Sequence, residues 1–350
     1  MRIPSLDGFR ATSILLVIAS HLTLEHPVPL LWRVQYGKLG VRVFFVISGF
    51  LITSLLLKER QKTGNISLSG FYLRRLFRIA PAYYVFLAAI ALLIPTGLVV
   101  ANYANVGFAA IYLNDYTFEG GTVGHTWSLA VEEQFYLLWP LLLVLSRRPE
   151  RVCLGVLLVA PVFRLLSSYQ LWPSNAELAF ECVCDSLATG CLLALWRERL
   201  WESLAYRTVV SSRWVIAIPL GTLLVLAVLP SSIVVWVLGG SALNIGIAMV
   251  LDRYMRMPHT IIGRGLNWAP VAWLGTLSYS LYLWQQPWMA GTVPLPWYIK
   301  IGGALLCAAA SYYWIEKPCL ALRKRWDTAP SLPPAGESEM VSGAPAQQLQ

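Results

Sequence analysis

Ionisable side chains set inside long apolar runs are where this sequence could do chemistry. The first run, "SLDGFRATSILLVIASHL" (5–22), holds Arg10 and His21 eleven positions apart. A helix turning 100° per residue brings the two to within about 20° on one face, roughly 16 Å apart along its axis. An arginine at the centre of a bilayer costs ~2.5–3.5 kcal/mol even on lenient scales, so ionisable groups in spans mark cavities and pathways. Histidine, with an unperturbed pKa near ~6.5, is suited to proton transfer at neutral pH. Glu25, four residues beyond His21, falls on the same face and can orient or acidify the ring. The structural alternatives are an arginine that snorkels to the headgroups and a histidine that is only hydrogen-bonded.

A second constellation lies in "GHTWSLAVEEQFYLLWP" (124–140), where Ser128, Glu132 and Tyr136 follow one another at i, i+4 and His125 precedes them. Glu132 and its neighbour Glu133 cannot both face lipid, so one of them must find a cation or a cavity. Arg42 and His21, both placed in the outer half, are the available partners; Glu133 can instead pair structurally with an arginine such as Arg164. In "FYLRRLFRIAPAYYV", Arg75 and Arg78 stand at i, i+3 on one helix face. Paired guanidinium forks suit phosphate, although simple anchoring at the membrane surface uses the same residues. Pro81 close behind distorts the first turns and opens the helix mouth. "LGVRVFFVISGFLITSLLL" carries Arg42 near its outer end, and Gly49 with Ser48 and Thr53 gives the small residues of a close helix crossing. "WLGTLSYSLYLWQQPW" ends in Gln285 and Gln286, which either join an interfacial aromatic belt or hydrogen-bond a hydroxylated acceptor.

The elements that must position these residues follow from composition. The chain of 350 residues is 57% hydrophobic and only 13% charged, far below the ~25% charged of ordinary globular chains. Its net charge of +9 gathers in short segments between apolar runs, at 58–78, 147–151, 197–213, 253–264 and 317–325. That is the positive-inside pattern of a polytopic membrane protein, and no basic patch comes with a motif for reading nucleic acid. Spans of about 20 apolar residues are expected near 10–27, 38–57, 76–95, 126–146, 151–169, 177–197, 213–229, 233–251, 270–290 and 297–316. The expected fold is an all-α membrane bundle of about ten helices over residues 1–326, with both termini cytoplasmic and a disordered tail at 327–350. An eleventh span at 98–113 ("LVVANYANVGFAAIYL") would invert everything after it, so that segment is placed outside as a loop or re-entrant piece. No small-residue cleavage site ends the first run, which is expected to stay as a membrane helix. The six cysteines read as reduced small hydrophobes, and Cys182 with Cys184 lacks metal-ligand spacing.

Taken in order, these segments resemble the acyltransferase-3 family of integral membrane O-acyltransferases. "LDGFRATSILLVIASH" resembles its opening motif, and "GVRVFFVISGFLI", "RRLFRIAPAYY", "HTWSLAVEEQFYLLWP", "LGTLSYSLYLW" and "IEKP" (315–318) are similar to its later signatures. The resemblance covers residues 5–320. It marks Arg10 and His21, Arg75 and Arg78, and Trp127, Ser128 and Glu132 as important positions. In two places the chain departs from the pattern: Gln285 stands where the family often has a histidine, and Arg42 where it often has an acid.

The resemblance implies transfer of an acyl group, most often acetyl, from cytoplasmic acyl-CoA (acetyl-CoA) to a hydroxyl of a carbohydrate. Acceptors in the family include cell-surface polysaccharide, lipopolysaccharide, peptidoglycan and macrolide sugars, and the setting is the bacterial cytoplasmic (inner) membrane. On that basis Arg75 and Arg78, with Arg10, hold the CoA phosphates, and His21 acts as general base or carries the acyl group itself. Glu132 or Glu25 orients the ring, Arg42, Trp127, Ser128 and Gln285 face the acceptor, and no metal is needed. The alternative of another class is a secondary transporter whose Arg, His and Glu form a substrate path.

Overall fold

A computed structural model of the chain describes residues 3–25, 36–117, 120–172, 178–230 and 232–327. Among these residues the secondary structure is helical, with no strand. In chain order the helices are α1 (Leu6–Glu25), α2 (Tyr36–Thr63), α3 (Leu68–Leu93), α4 (Tyr103–Ala110), α5 (Trp127–Leu145), α6 (Pro149–Ser168) and α7 (Asp185–Glu202). There follow α8 (Leu204–Ser211), α9 (Ala217–Val228), α10 (Ile233–Arg256), α11 (Ile261–Leu266), α12 (Ala269–Met289), α13 (Trp297–Ser311) and α14 (Lys317–Asp327). By length and composition α2, α3, α5, α6 and α10 can each cross a membrane. A sixth crossing results if α8 and the stretch Arg213–Val228, bent by 80° at their junction, form one broken span. The expected tail at 328–350 and the side chain of Glu25 lie outside the described residues.

Differences from the sequence expectation have local causes. Helix α3 begins eight residues before its expected span, because Ser67 caps it by accepting a hydrogen bond from Gly70 N at 3.2 Å. Arg74, Arg75 and Arg78 are therefore carried on a formed helix. The 98–113 segment contains only the eight-residue α4, about 12 Å long at 1.5 Å per residue, too short to span. Tyr83 and Tyr84 on α3 pin it by donating to Ala109 O and Ala110 O at 2.8 and 3.0 Å. The helix expected at 177–197 is broken after the single turn Phe180–Val183, and α7 opens on the fully buried Asp185. Asp185 pairs with Arg164 of α6, and Ser241 of α10 bonds to both. A carboxylate at a helix N-terminus is also favoured by the helix dipole.

Two close crossings set the frame. A Cβ at Gly49 of α2 would stand 2.0 Å from Leu187 O of α7, and one at Gly190 would stand 2.1 Å from Val46 O of α2. These helices therefore meet backbone to backbone, the close crossing expected from Ser48, Gly49 and Thr53. Helix α1 lies between α2 and α12, and Gly275 of α12 comes close enough to Asp7 that a Cβ there would be 1.9 Å from its carbonyl. The start of α1, and with it Arg10, is thereby held inside the bundle.

Gly49→Ala should lower the thermal unfolding midpoint of the detergent-purified protein, since overpacking of this kind costs about 1–3 kcal/mol. Gly155→Ala on α6, where a Cβ meets nothing within 4 Å, is the control and should not destabilise. A second expectation concerns Asp115, in the loop after α4. It is fully buried and accepts from Gln134 Nε2 on both oxygens, at 3.1 and 3.2 Å. Burial pushes its carboxyl from 3.8 up to about 6, against the opposing pull of these hydrogen bonds. The folded protein thus holds this proton more tightly than the unfolded chain, so stability falls as pH rises from about 4 to about 6 and then levels off. Asp115→Asn should remove that fall; unfolding midpoints of variant and wild type that run parallel across this range would refute it.

Candidate active site

Five helices converge on a narrow internal slot of about 70 Å³. Arg10 enters it from α1, Ser48 from α2, Arg75 and Arg78 from α3, Glu132 from α5 and Tyr282 from α12. A wider vestibule of about 400 Å³ adjoins the slot, and the same three arginines line both. None of the three makes a hydrogen bond or ion pair among the described residues. Arg75 instead stacks on Tyr136, its guanidinium carbon 4.6 Å from the ring centroid, and on Phe71 at 5.7 Å. Half-buried guanidinium groups without internal partners, facing a cavity, leave their donors available to an anion.

Glu132 is committed differently from the expectation. One oxygen accepts from Ser48 Oγ at 2.8 Å and the other from Tyr136 Oη at 3.0 Å. Neither Arg42 nor His21 is its partner; Arg10 and Arg75 are the nearby opposite charges. Glu132 thus fixes the phenol on which Arg75 stacks. Glu133 also lines the slot, and its suggested partner Arg164 is taken by Asp185. Arg42 lies on the other side of α2, donating to Asn244 Oδ1 at 3.1 Å, Ser186 Oγ at 3.3 Å and Gly240 O at 3.4 Å. Helix end position places an arginine in depth but does not say which neighbours it meets. Trp127 packs edge-on against Phe45 at 6.1 Å and is not part of the slot lining.

The slot stops at Tyr282. Its hydroxyl donates to His125 O at 2.8 Å and meets Ser128 Oγ at 2.6 Å, with Phe44 edge-on to the ring. Beyond it lies a histidine pair that the slot does not reach. The His125 ring is 5.2 Å from that of Tyr282 and 5.7 Å from that of Phe86, and both of its nitrogens are buried without a partner. His21 neighbours His125, and Gln285 lies against its imidazole. His21 Nδ1, Gln285 Oε1 and Trp284 Nε1 are likewise buried and unbonded. Each such orphan costs about 1–3 kcal/mol, and several gathered around one ring mark a place shaped by something other than stability.

The structure therefore brings Arg10, Arg75, Arg78, Ser128 and Glu132 around one slot, and sets His21 with Gln285 beyond its end. Sequence reading gave no role to Tyr282, Glu316 or Arg74. Glu316, in the "IEKP" motif, is buried on a π-helical turn at 312–316, accepts from Ser280 Oγ at 3.2 Å and faces Arg78. Its signal was a glutamate at the end of an otherwise apolar run. No group of His, Cys, Asp and Glu able to hold a metal ion occurs among the described residues.

The sequence matches the family model of the acyltransferase domain over residues 3–314. Among curated proteins, O-acetyltransferase OatA of Staphylococcus aureus (strain MRSA252) is 29% identical over 378 positions, covering 97% of this chain and 60% of that protein. Peptidoglycan O-acetyltransferase OatA of Listeria monocytogenes is 27% identical, covering 90% of this chain and 55% of that protein. The chain thus spans little more than half the length of these relatives. No solved structure matches.

Proposed function

The chain belongs to the acyltransferase-3 family, and from that premise we propose that it is a membrane O-acetyltransferase drawing on cytoplasmic acetyl-CoA. The observation that supports this reading is the slot itself: three arginines without internal partners line it, and its wall residue Tyr282 adjoins His125, the neighbour of His21. In this reading about ten helices cross the bacterial cytoplasmic membrane with both termini inside, so the basic segments and the vestibule share the cytoplasmic face. Arg10, Arg75 and Arg78 hold the phosphates of the donor by charge-assisted hydrogen bonds. The slender acyl-bearing arm runs up the slot toward Ser128 and Tyr282.

Transfer needs the Tyr282–Ser128 contact to open, bringing the thioester to His21. His21 takes the proton of an acceptor hydroxyl, the oxygen attacks the thioester carbonyl, and the carbon–sulfur bond breaks. The proton then passes from the imidazolium to the departing thiolate, leaving an ester and free CoA. Glu132 acts on the donor side, positioning Tyr136 and through it Arg75. Gln285 and the orphaned atoms around His21 face the acceptor, while Ser128 stands with Tyr282 between donor and acceptor; Arg42, committed to Asn244, Ser186 and Gly240, takes no part. The acceptor is a glycan hydroxyl; peptidoglycan, named for the Listeria relative, is the first to test.

The test is acetyl transfer in nanodiscs from radiolabelled acetyl-CoA to peptidoglycan fragments. His21→Ala, checked for folding, should lose ~100-fold or more in turnover, as removal of a general base does, while still binding acetyl-CoA. Near wild-type transfer by that variant would remove His21 from the chemistry. Arg75→Ala/Arg78→Ala should weaken acetyl-CoA binding by ~10-fold or more, because charge-assisted bonds are lost. Unchanged affinity would reject the clamp, and movement of a solute without CoA dependence would favour a transporter.

A further inference from the structure

The vestibule contains more positive charge than the slot requires. Besides Arg10, Arg75 and Arg78 it is lined by Arg74 of α3 and Arg323 of α14, with Glu59 of α2 as the acid among the described lining residues. Arg74 is held in place rather than loose: its Nη2 contacts Glu59 Oε2 at 2.6 Å, while Glu59 Oε1 accepts from Ser67 N at 3.0 Å. Ser67 is the residue that caps α3, so one carboxylate ties the cap, the arginine and α2 together. Arg74 itself is part of the vestibule wall. Arg323 comes from a separate helix near the end of the described chain, so the outer site is built from two directions.

We propose that Arg74 and Arg323 form a phosphomonoester site for the ribose 3′-phosphate of the acyl-CoA donor, distinct from the Arg10–Arg75–Arg78 clamp on its diphosphate. The inference rests on the acetyl-CoA reading above and adds which phosphate goes where. Two observations order the ligand along the cavity. The slot is narrow and ends at Tyr282, which suits the thioester arm. Arg10, Arg75 and Arg78 lie where slot and vestibule join, where the diphosphate follows the arm. The nucleotide head, the bulky part, falls in the wide vestibule, and its remaining phosphate meets the two outer arginines. A monoester carries a charge of about −1.5 to −2 at neutral pH, which suits an arginine-rich cavity. A lipid headgroup offers the same phosphate chemistry at this depth, and the test separates the two sources.

Initial rates are compared for acetyl-CoA and acetyl-3′-dephospho-CoA in phosphatidylcholine nanodiscs, with and without phosphatidylglycerol. The wild-type protein should prefer acetyl-CoA by ~10-fold or more in kcat/KM, the scale of a charge-assisted contact. Arg323→Gln and Arg74→Gln should each shrink that preference by raising KM for acetyl-CoA alone, and the double variant should abolish it. The preference should also decline below about pH 6, where the monoester dianion takes up a proton and loses half its charge. Arg323→Gln stands alone if loss of the Glu59 partner unfolds Arg74→Gln. Equal use of both donors by wild type, or variants that weaken both donors alike, would overturn the site. So would a response of the variants to phosphatidylglycerol with no donor preference, which would assign the arginines to lipid. Absence of transfer from either donor would instead defeat the acetyl-CoA reading, and this inference with it.

Discussion

A guanidinium group within a helix bundle needs either a fixed partner or water, and this molecule uses both solutions in different places. Arg164 is almost fully buried and takes the first, joined to Asp185 and Ser241 so that α6, α7 and α10 are fastened at one point. Arg10, Arg75 and Arg78 take the second, facing a cavity and one another. Pairing them internally would relieve the repulsion, but it would also fill the slot. The architecture around them maintains that exposure: a glycine contact presses α1 against α12, and a serine cap starts α3 early enough to carry its arginines on a rigid element.

The residues of the slot were legible in the sequence because a charge in an apolar run is conspicuous wherever the chain folds. Arg10, Arg75, Arg78 and Glu132 were found that way, and the glycine beside Ser48 announced its close crossing. Partnership was not legible. Arg42 and Glu132 both stood out as charges needing neighbours, yet one bonds Asn244 and Ser186 and the other Ser48 and Tyr136. Neutral amides and hydroxyls are scattered through every helix, so nothing in their spacing says which of them will face a charge.

A different obscurity hid the outer arginines and the placement of the second histidine. Arg74 and Arg323 belong to basic segments whose composition is explained by membrane orientation alone, and only their meeting in one vestibule separates them from their neighbours. His125 lies just before α5, in a single 3-10 turn, where helical spacing gives no guide to its direction. Its proximity to His21 depends on how α1, α5 and α12 pack, and that is information from long-range contacts.

The closed contact between Tyr282 and Ser128 bears on energetics as well as on access. Aqueous depth carries little of the transmembrane voltage, so in the proposed orientation, with the slot open to the cytoplasm, the potential would fall mainly across the protein beyond Tyr282. Each elementary charge crossing that layer would exchange about 2.3 kcal/mol per 100 mV with the field. In the proposed reaction every phosphate stays on the inner side of the layer, and the acyl group that passes outward is exchanged for the acceptor's proton passing inward, so no net charge crosses. Transfer is then electrically silent, neither driven nor opposed by the membrane potential.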